Sequence, residues 1–450
     1  MPFLSSRSFL SSLGRLAALI VAVLAFSPLP ASAVPSFARQ TGLPCNTCHT
    51  NFPELTQFGR NFKLNGYVMS KGGKFVPPVS AMAQLAFTHT NKAQPGGAAP
   101  GFSDNNNVAP NEISLFYGGA IIPNVMGAFI QGTYDGAEKA VALDNTDIRA
   151  AQTETIGSKT LTVGMTLNNN PTVSDLWNTT PVWSFPFSTS VLGPEPGAAT
   201  MIQGGFGQQV AGLGVYTMFN DLIYAEVDGY KTLSTGFQKF FGVDPTDEAQ
   251  IHSLAPYWRL AVQHSWGPNY LSVGTFGMSA SVFPGRVRTM GTDRLTDIGF
   301  DSQYQYSSDK NDAELMLSYI TETQHLKASL PLGNAVNGRN KLHALNATAT
   351  YMRDKTYGLT ASYFSVTGSG DPTLYGTRTG LPDSNGYILE ADWLPFNKNG
   401  GPSFWPMSSL KLALQYTGYT KFDGAKLNYD GSGRSASAND TLFLEGWLAF

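Results

Sequence analysis

From about residue 80 to the C-terminus the chain repeats one pattern: short stretches of alternating apolar and polar residues, separated by connections rich in Gly, Pro, Asn, Asp and Ser. A period of two puts every second side chain on one face of a strand, and a helix cannot gather such a pattern on one side. Leu161, Val163, Met165 and Leu167 alternate with Thr160, Thr162, Gly164 and Thr166. Leu345, Ala347, Ala349 and Tyr351 alternate with Asn346, Thr348 and Thr350, and Tyr357, Leu359, Ala361 and Tyr363 with Gly358, Thr360 and Ser362. Ala313, Leu315, Leu317 and Tyr319 form a further apolar face. Only 14% of residues are charged and 12% are aromatic, with 47 Gly, a balance that suits twisted strands better than helical bundles.

Alternation alone also fits soluble sandwiches, so the chain ends decide the environment. Arg7 and Arg15 precede an apolar run from Leu16 to Phe26, followed by Ala31-Ser32-Ala33, a small-x-small cleavage pattern. The run is too short for the roughly 20 residues of a spanning helix, so residues 1–33 read as a signal peptide and Val34 as the mature N-terminus. No later stretch is as apolar, which leaves a periplasmic protein or an outer-membrane β-barrel. The last strand sets Leu442, Leu444, Gly446, Leu448 and the terminal Phe450 on one face, as outer-membrane barrels do, and Tyr416, Tyr419 and Trp447 suit interfacial girdles. At roughly 23 residues per strand and connection, residues 80–450 hold about 16 membrane strands and enclose a porin-sized lumen. Residues 168–187, with Asn168-Asn169-Asn170, Pro171, Trp177, Pro181, Trp183 and Pro186, break the pattern and read as a long ordered loop, either on the surface or packed in the lumen. A net charge of -3 without a basic cluster excludes nucleic acid as a partner.

The two cysteines are three apart, in Cys45-Asn46-Thr47-Cys48-His49. C-x-x-C-H is the pattern of c-type haem attachment: two thiols on one turn reach the two vinyl groups of a porphyrin edge, and the adjacent His ligates the iron. A redox C-x-x-C and half of a zinc site are the alternatives. The expected cofactor is one covalently attached haem c, with Cys45 and Cys48 as its anchors and His49 as proximal iron ligand. Met69 is the first candidate for the distal ligand, ahead of Met82 and His89, and an open iron is a further option. Arg60 and Lys63 are candidate partners of the haem propionates. Asp293, Asp297, Asp301, Asp309, Asp312 and Glu314 either focus a field that draws in a cation or are solvated loop charges. No catalytic acid–base constellation is legible.

The run Pro35-Ser36-Phe37-Ala38-Arg39-Gln40-Thr41-Gly42, the C-x-x-C-H, Phe52-Pro53-Glu54-Leu55, Phe58-Gly59-Arg60 and Phe62-Lys63-Leu64-Asn65-Gly66-Tyr67 resemble the fused outer-membrane monohaem cytochrome c–porin family of iron-oxidising bacteria. That resemblance implies electron transfer from extracellular Fe(II) to a periplasmic carrier such as a soluble c-type cytochrome, with an Fe(II) oxidase-like activity in reach. The expected fold is all-β: a transmembrane antiparallel barrel set in outer-membrane lipid, preceded by a short, mostly helical monohaem cytochrome c segment. The expected boundaries are 1–33 for the signal peptide, 34–79 for the cytochrome segment and 80–450 for the barrel. A solute-diffusion porin with a haem-bearing plug or sensor segment is the alternative function.

Overall fold

The computed structural model describes residues 36–72, 77–246, 249–406 and 408–450; the expected signal peptide and the cleavage site before Val34 lie outside them. Three short helices come first: α1 (Ser36–Thr41), α2 (Cys45–Cys48) and α3 (Gln57–Leu64). The strands are β1 (Val79–Thr90), β2 (Asn107–Ile122), β3 (Met126–Asp135), β4 (Ala140–Ile156), β5 (Lys159–Asn168), β6 (Val210–Phe219), β7 (Ile223–Thr232), β8 (Ala255–Trp266), β9 (Asn269–Phe283), β10 (Asp293–Ser307), β11 (Asn311–His325), β12 (Arg339–Arg353), β13 (Tyr357–Gly368), β14 (Ser384–Trp393), β15 (Ser409–Lys421) and β16 (Thr441–Ala449). Each pairs antiparallel with the next, and β1 pairs with β2 on one side and β16 on the other, from Met82↔Ala449 to Thr90↔Thr441. The sheet is a closed 16-strand barrel without free edges. A two-residue strand, Gln250–Ile251, extends the sheet at the end of β9.

The alternation seen in the sequence is present, and its burial is the reverse of a soluble protein's. Val163, Met165 and Leu167 are 52%, 50% and 45% exposed, whereas Thr162 and Thr166 on the alternate positions are 5% and 0%. Tyr351 faces outward beside the buried Thr348 and Thr350, and Leu315 and Leu317 face outward beside the buried Glu314. A band of exposed Leu, Val, Ile, Phe and Tyr around a wall whose inward side is polar is what a surface set against hydrocarbon requires. Among the described residues no helix is long and apolar enough to cross a membrane.

Connections are mostly short at one end and longer at the other, residues 394–408 being a long exception at the first. At the end where β1 begins and β16 finishes, β2 and β3 are joined by residues 123–125, β4 and β5 by 157–158, and β8 and β9 by 267–268, while the opposite end carries the long connections 91–106, 169–209 and 422–440. The 169–209 connection turns into the barrel, as its break in periodicity allows. Val173, Leu176 and Trp177 on it are buried, and the Trp177 indole N–H donates to Oε1 of Gln263 on β8 and to the hydroxyl of Tyr270 on β9. Further along, Met201, Ile202 and Phe206 pack on the inward-facing Tyr230, Tyr257, Phe276 and Ile320. A barrel of this strand number is wide enough for an aqueous channel. Here α1–α3 and the 169–209 segment fill it, so the expectation of a porin-sized lumen holds for the wall but not for its contents.

Candidate functional site

The C-x-x-C-H run begins after Pro44, which caps a one-turn helix. The His49 backbone N–H donates to Cys45 O at 3.0 Å, and His49 then leaves the turn in extended conformation. Thr56 ties this turn to α3: its Oγ1 donates to Thr47 O at 2.6 Å and accepts from the Gly59 N–H at 3.2 Å, and its N–H donates to Cys48 O at 2.9 Å. The contact tolerates nothing larger than Gly59, because a Cβ there would stand 2.4 Å from Cys48 O. Gly59→Ala must therefore shift backbone. It should destabilise the α2–α3 packing by ~1–3 kcal/mol, read as faster proteolysis between residues 36 and 72 while the barrel stays protease-resistant.

Cys45, Cys48 and His49 line one cavity at the end of the lumen where β1 begins, with about 1330 Å³ of empty space including its mouth. Its walls are aromatic and apolar: Phe37, Phe52, Phe62 and Tyr67 from the N-terminal segment, Trp183 and Phe187 from 169–209, and Met82, Phe116, Phe129 and Trp447 from β1, β2, β3 and β16. The Phe52 ring lies edge-on to His49 at 4.8 Å and to Trp447 at 4.8 Å, and Phe187 stacks on Trp447 at 6.0 Å.

Three observations bear on whether these residues fit a haem. First, Nδ1 of His49 lies 3.2 Å from Glu54 O and 3.3 Å from Pro53 O. That fixes the proton on Nδ1 and leaves Nε2 as the lone-pair nitrogen, the arrangement that orients a metal-binding imidazole. Burial lowers the His49 pKa to about 4, so the ring is neutral at physiological pH. Secondly, burial pushes the Cys45 thiol up and the Cys48 thiol up to about 12. A reactive redox C-x-x-C needs the opposite shift, and no group of three or more His, Cys, Asp or Glu able to hold a metal exists among the described residues. Both alternatives to haem attachment thus lose ground. Thirdly, the buried indole N–H of Trp447, in the cavity wall, has no hydrogen-bond partner among the described residues. A ligand bearing a carboxylate would satisfy it. An apolar slot with one free imidazole nitrogen, two thiols on one turn and an unpaired donor fits a haem c.

The other sequence-derived candidates separate. Met69 is 41% exposed and outside the cavity; the chain there is held through its backbone, Met69 O accepting from Gln40 Nε2 at 2.8 Å. His89 sits toward the other end of β1, its ring bonded to Asn106 Oδ1 at 2.9 Å. Met82 is buried and lines the cavity. Lys63 also lines it but donates to Val173 O at 2.8 Å and Asp175 O at 2.6 Å, and Arg60 is turned to the barrel wall, donating to Leu55 O, Gln303 and Gln305 above the Tyr270 ring. Tyr419 is packed in a cluster with Phe422, and Trp447 is on the inward face, so of the three girdle candidates only Tyr416 reaches the outer surface.

The acidic run resolves into separate structural tasks rather than a cation funnel or solvated loop charges. Asp293 accepts from the Ala328 and Ser329 N–H groups at 2.7 and 3.0 Å, and Asp297 from the Ile202 N–H at 2.9 Å. Asp301 pairs with Arg259, Asp312 with Lys355, and Glu314 accepts from Gln303 and Gln305; Asp309 alone stands exposed, in a turn. No sequence pattern marks Phe116, Phe129 and Phe187 as the aromatic lining of this cavity. Trp447 has the parity opposite to Leu442, Leu444 and Gly446, so period two points it inward.

Fold and cavity together define a class: a closed antiparallel barrel whose lumen is filled and which holds, at the end where β1 begins, a C-x-x-C-H segment over an apolar slot. No protein-family model and no curated protein matches the chain. Among solved structures it is similar to OmpT, an outer membrane protein of Vibrio cholerae (11% identity, TM-score 0.41, covering 83% of this chain and 97% of that one). It is similar also to the outer membrane channel DcaP of Acinetobacter baumannii (12%, 0.43, 83% and 96%) and to an anion-selective porin from Comamonas acidovorans (12%, 0.45, 82% and 98%).

Proposed function

We propose that the chain is an outer-membrane electron-transfer protein that accepts electrons from extracellular Fe(II) through a single haem c held by Cys45, Cys48 and His49, and passes them to a periplasmic carrier such as a soluble c-type cytochrome. The observation that carries this reading is the shared cavity of both thiols and a His whose Nδ1 is tied to backbone carbonyls. A haem c there supplies a one-electron iron couple. The protein's own part is placement. The exposed apolar band suits lipid, and barrels of this type keep short turns on the periplasmic side and long loops outside, which puts His49 near the periplasmic mouth. A soluble carrier could then approach it closely.

A second reading is a solute-diffusion porin whose haem segment is a plug or sensor. The 16-strand girth of the wall favours it; the buried Arg149, Arg259, Asp301 and Trp177 in mid-lumen favour the first. Stopped-flow mixing of the purified oxidised protein with Fe(II) under argon near neutral pH, beside liposome swelling with small sugars, separates them. The expected result is rapid reduction with no swelling. A haem inert to Fe(II) in a barrel that passes sugars would establish the porin instead.

A further inference from the structure

The cavity contains the proximal side of a haem site on one chain segment, and the question is what faces it from the others. Of the residues that line it, four have side chains able to donate to iron besides the cysteines: His49, Lys63, Tyr67 and Met82. Two of them are committed elsewhere. Lys63 gives its ammonium protons to Val173 O and Asp175 O and stands over the Trp183 ring at 4.6 Å. The Tyr67 hydroxyl donates to Asp147 Oδ2 at 2.7 Å, with its ring stacked on Phe37. Met82 remains, a thioether 3% exposed in a cluster with Trp447 and Ala449, against which Phe52, Phe116 and Phe187 pack. A soft sulfur in a dry aromatic wall is the donor that suits haem iron and raises its potential.

We propose that Met82 is the second axial ligand of the haem iron, so that the barrel wall rather than the cytochrome segment completes the coordination. The proposal rests on the haem reading above. It has a structural consequence that Met69, on the segment itself, would not have. Met82 stands at the closing seam of the barrel, paired with Ala449 of β16 on one side and Ser114 of β2 on the other. Its position is therefore fixed only once the first and last strands have met. Before closure the covalently loaded segment has His49 alone as a protein ligand; after closure it has two. Six-coordination thereby reports assembly, and a haem-loaded chain still in transit lacks its final potential.

The test uses the full-length protein in detergent. Haem staining on denaturing gels comes first, because a wild-type band that does not stain overturns the haem reading itself. Given staining, the ferric wild type should show the weak far-red absorption and near-infrared magnetic circular dichroism of methionine ligation, and the ferrous form should resist carbon monoxide. Met82→Leu should stain equally, lose the far-red band and bind carbon monoxide. Met82→His should stay low-spin with a lower midpoint potential, and Met69→Leu should match wild type throughout. The wild-type spectrum decides even if Met82→Leu fails to assemble: absence of methionine ligation overturns the proposal, as does a Met82→Leu spectrum that matches wild type.

Discussion

Replacing Cys45 and Cys48 together by alanine is expected to abolish haem staining completely and to leave a barrel that still shifts in mobility on heating. Each single variant retains at most one thioether bond, and His49→Ala keeps the attachment points while losing normal ligation and fast reduction by Fe(II). The expected size of the effect follows from where these groups sit. The attachment turn spans Cys45–Cys48, and its ties run mainly to its own neighbours, Thr56 and the backbone around Glu54. The barrel closes through the β1–β16 and β1–β2 ladders, which involve none of these three residues. One-electron transfer needs no acid–base group, so the expected loss in His49→Ala falls on iron ligation and not on proton transfer. Haem stain, spectrum and heat-modified mobility measured on one preparation separate loss of cofactor from loss of fold. A wild-type band that stays unstained from a host competent in c-type maturation would remove the central claim.

What could be read from sequence was whatever depends on local periodicity or fixed spacing. The shared face of Val163, Met165 and Leu167 came from period two, and the C-x-x-C-H spacing put Cys45, Cys48 and His49 close together, where they line one cavity. Period two does not say which face meets which solvent, and that is why the buried polar side, with Thr166 and Glu314, became plain only in the closed barrel. Closeness along the chain also misled. Met69 is nearer to His49 in sequence than Met82, yet it stays outside the cavity, whereas Met82 is brought in by strand pairing. The acidic residues on β10 and β11 were visible as a group, but their partners Arg259, Lys355 and the Ile202 backbone come from elsewhere in the chain, and no spacing rule links them.

Arg259→Ala should open the lumen to small sugars in liposome swelling while the barrel remains assembled. Arg259 is buried on β8, bonded to Asp301 through two guanidinium nitrogens at 3.1 and 2.7 Å, and 3.2 Å from Asp175 on the 169–209 segment. It also lies over the Trp177 ring at 4.9 Å. Asp175 in turn organises that segment, accepting from the Trp177, Thr179 and Thr180 N–H groups at 3.0, 2.9 and 3.1 Å. Deleting the cation leaves two carboxylates buried without their partner, which costs roughly 3–5 kcal/mol. The strand ladders bear none of that directly. The segment is held by side chains while the wall is held by continuous backbone pairing, so the strain is relieved by releasing the segment toward water. A triple variant, Arg259→Met with Asp175→Asn and Asp301→Asn, removes the charges together with their counter-ion. Since exchanging a whole buried ion cluster for neutral groups is far less costly than removing one partner, it should swell much less than Arg259→Ala. Equal swelling by both variants would assign the effect to lost packing around Trp177. A closed Arg259→Ala barrel would show that this ion cluster does not hold the segment in the lumen.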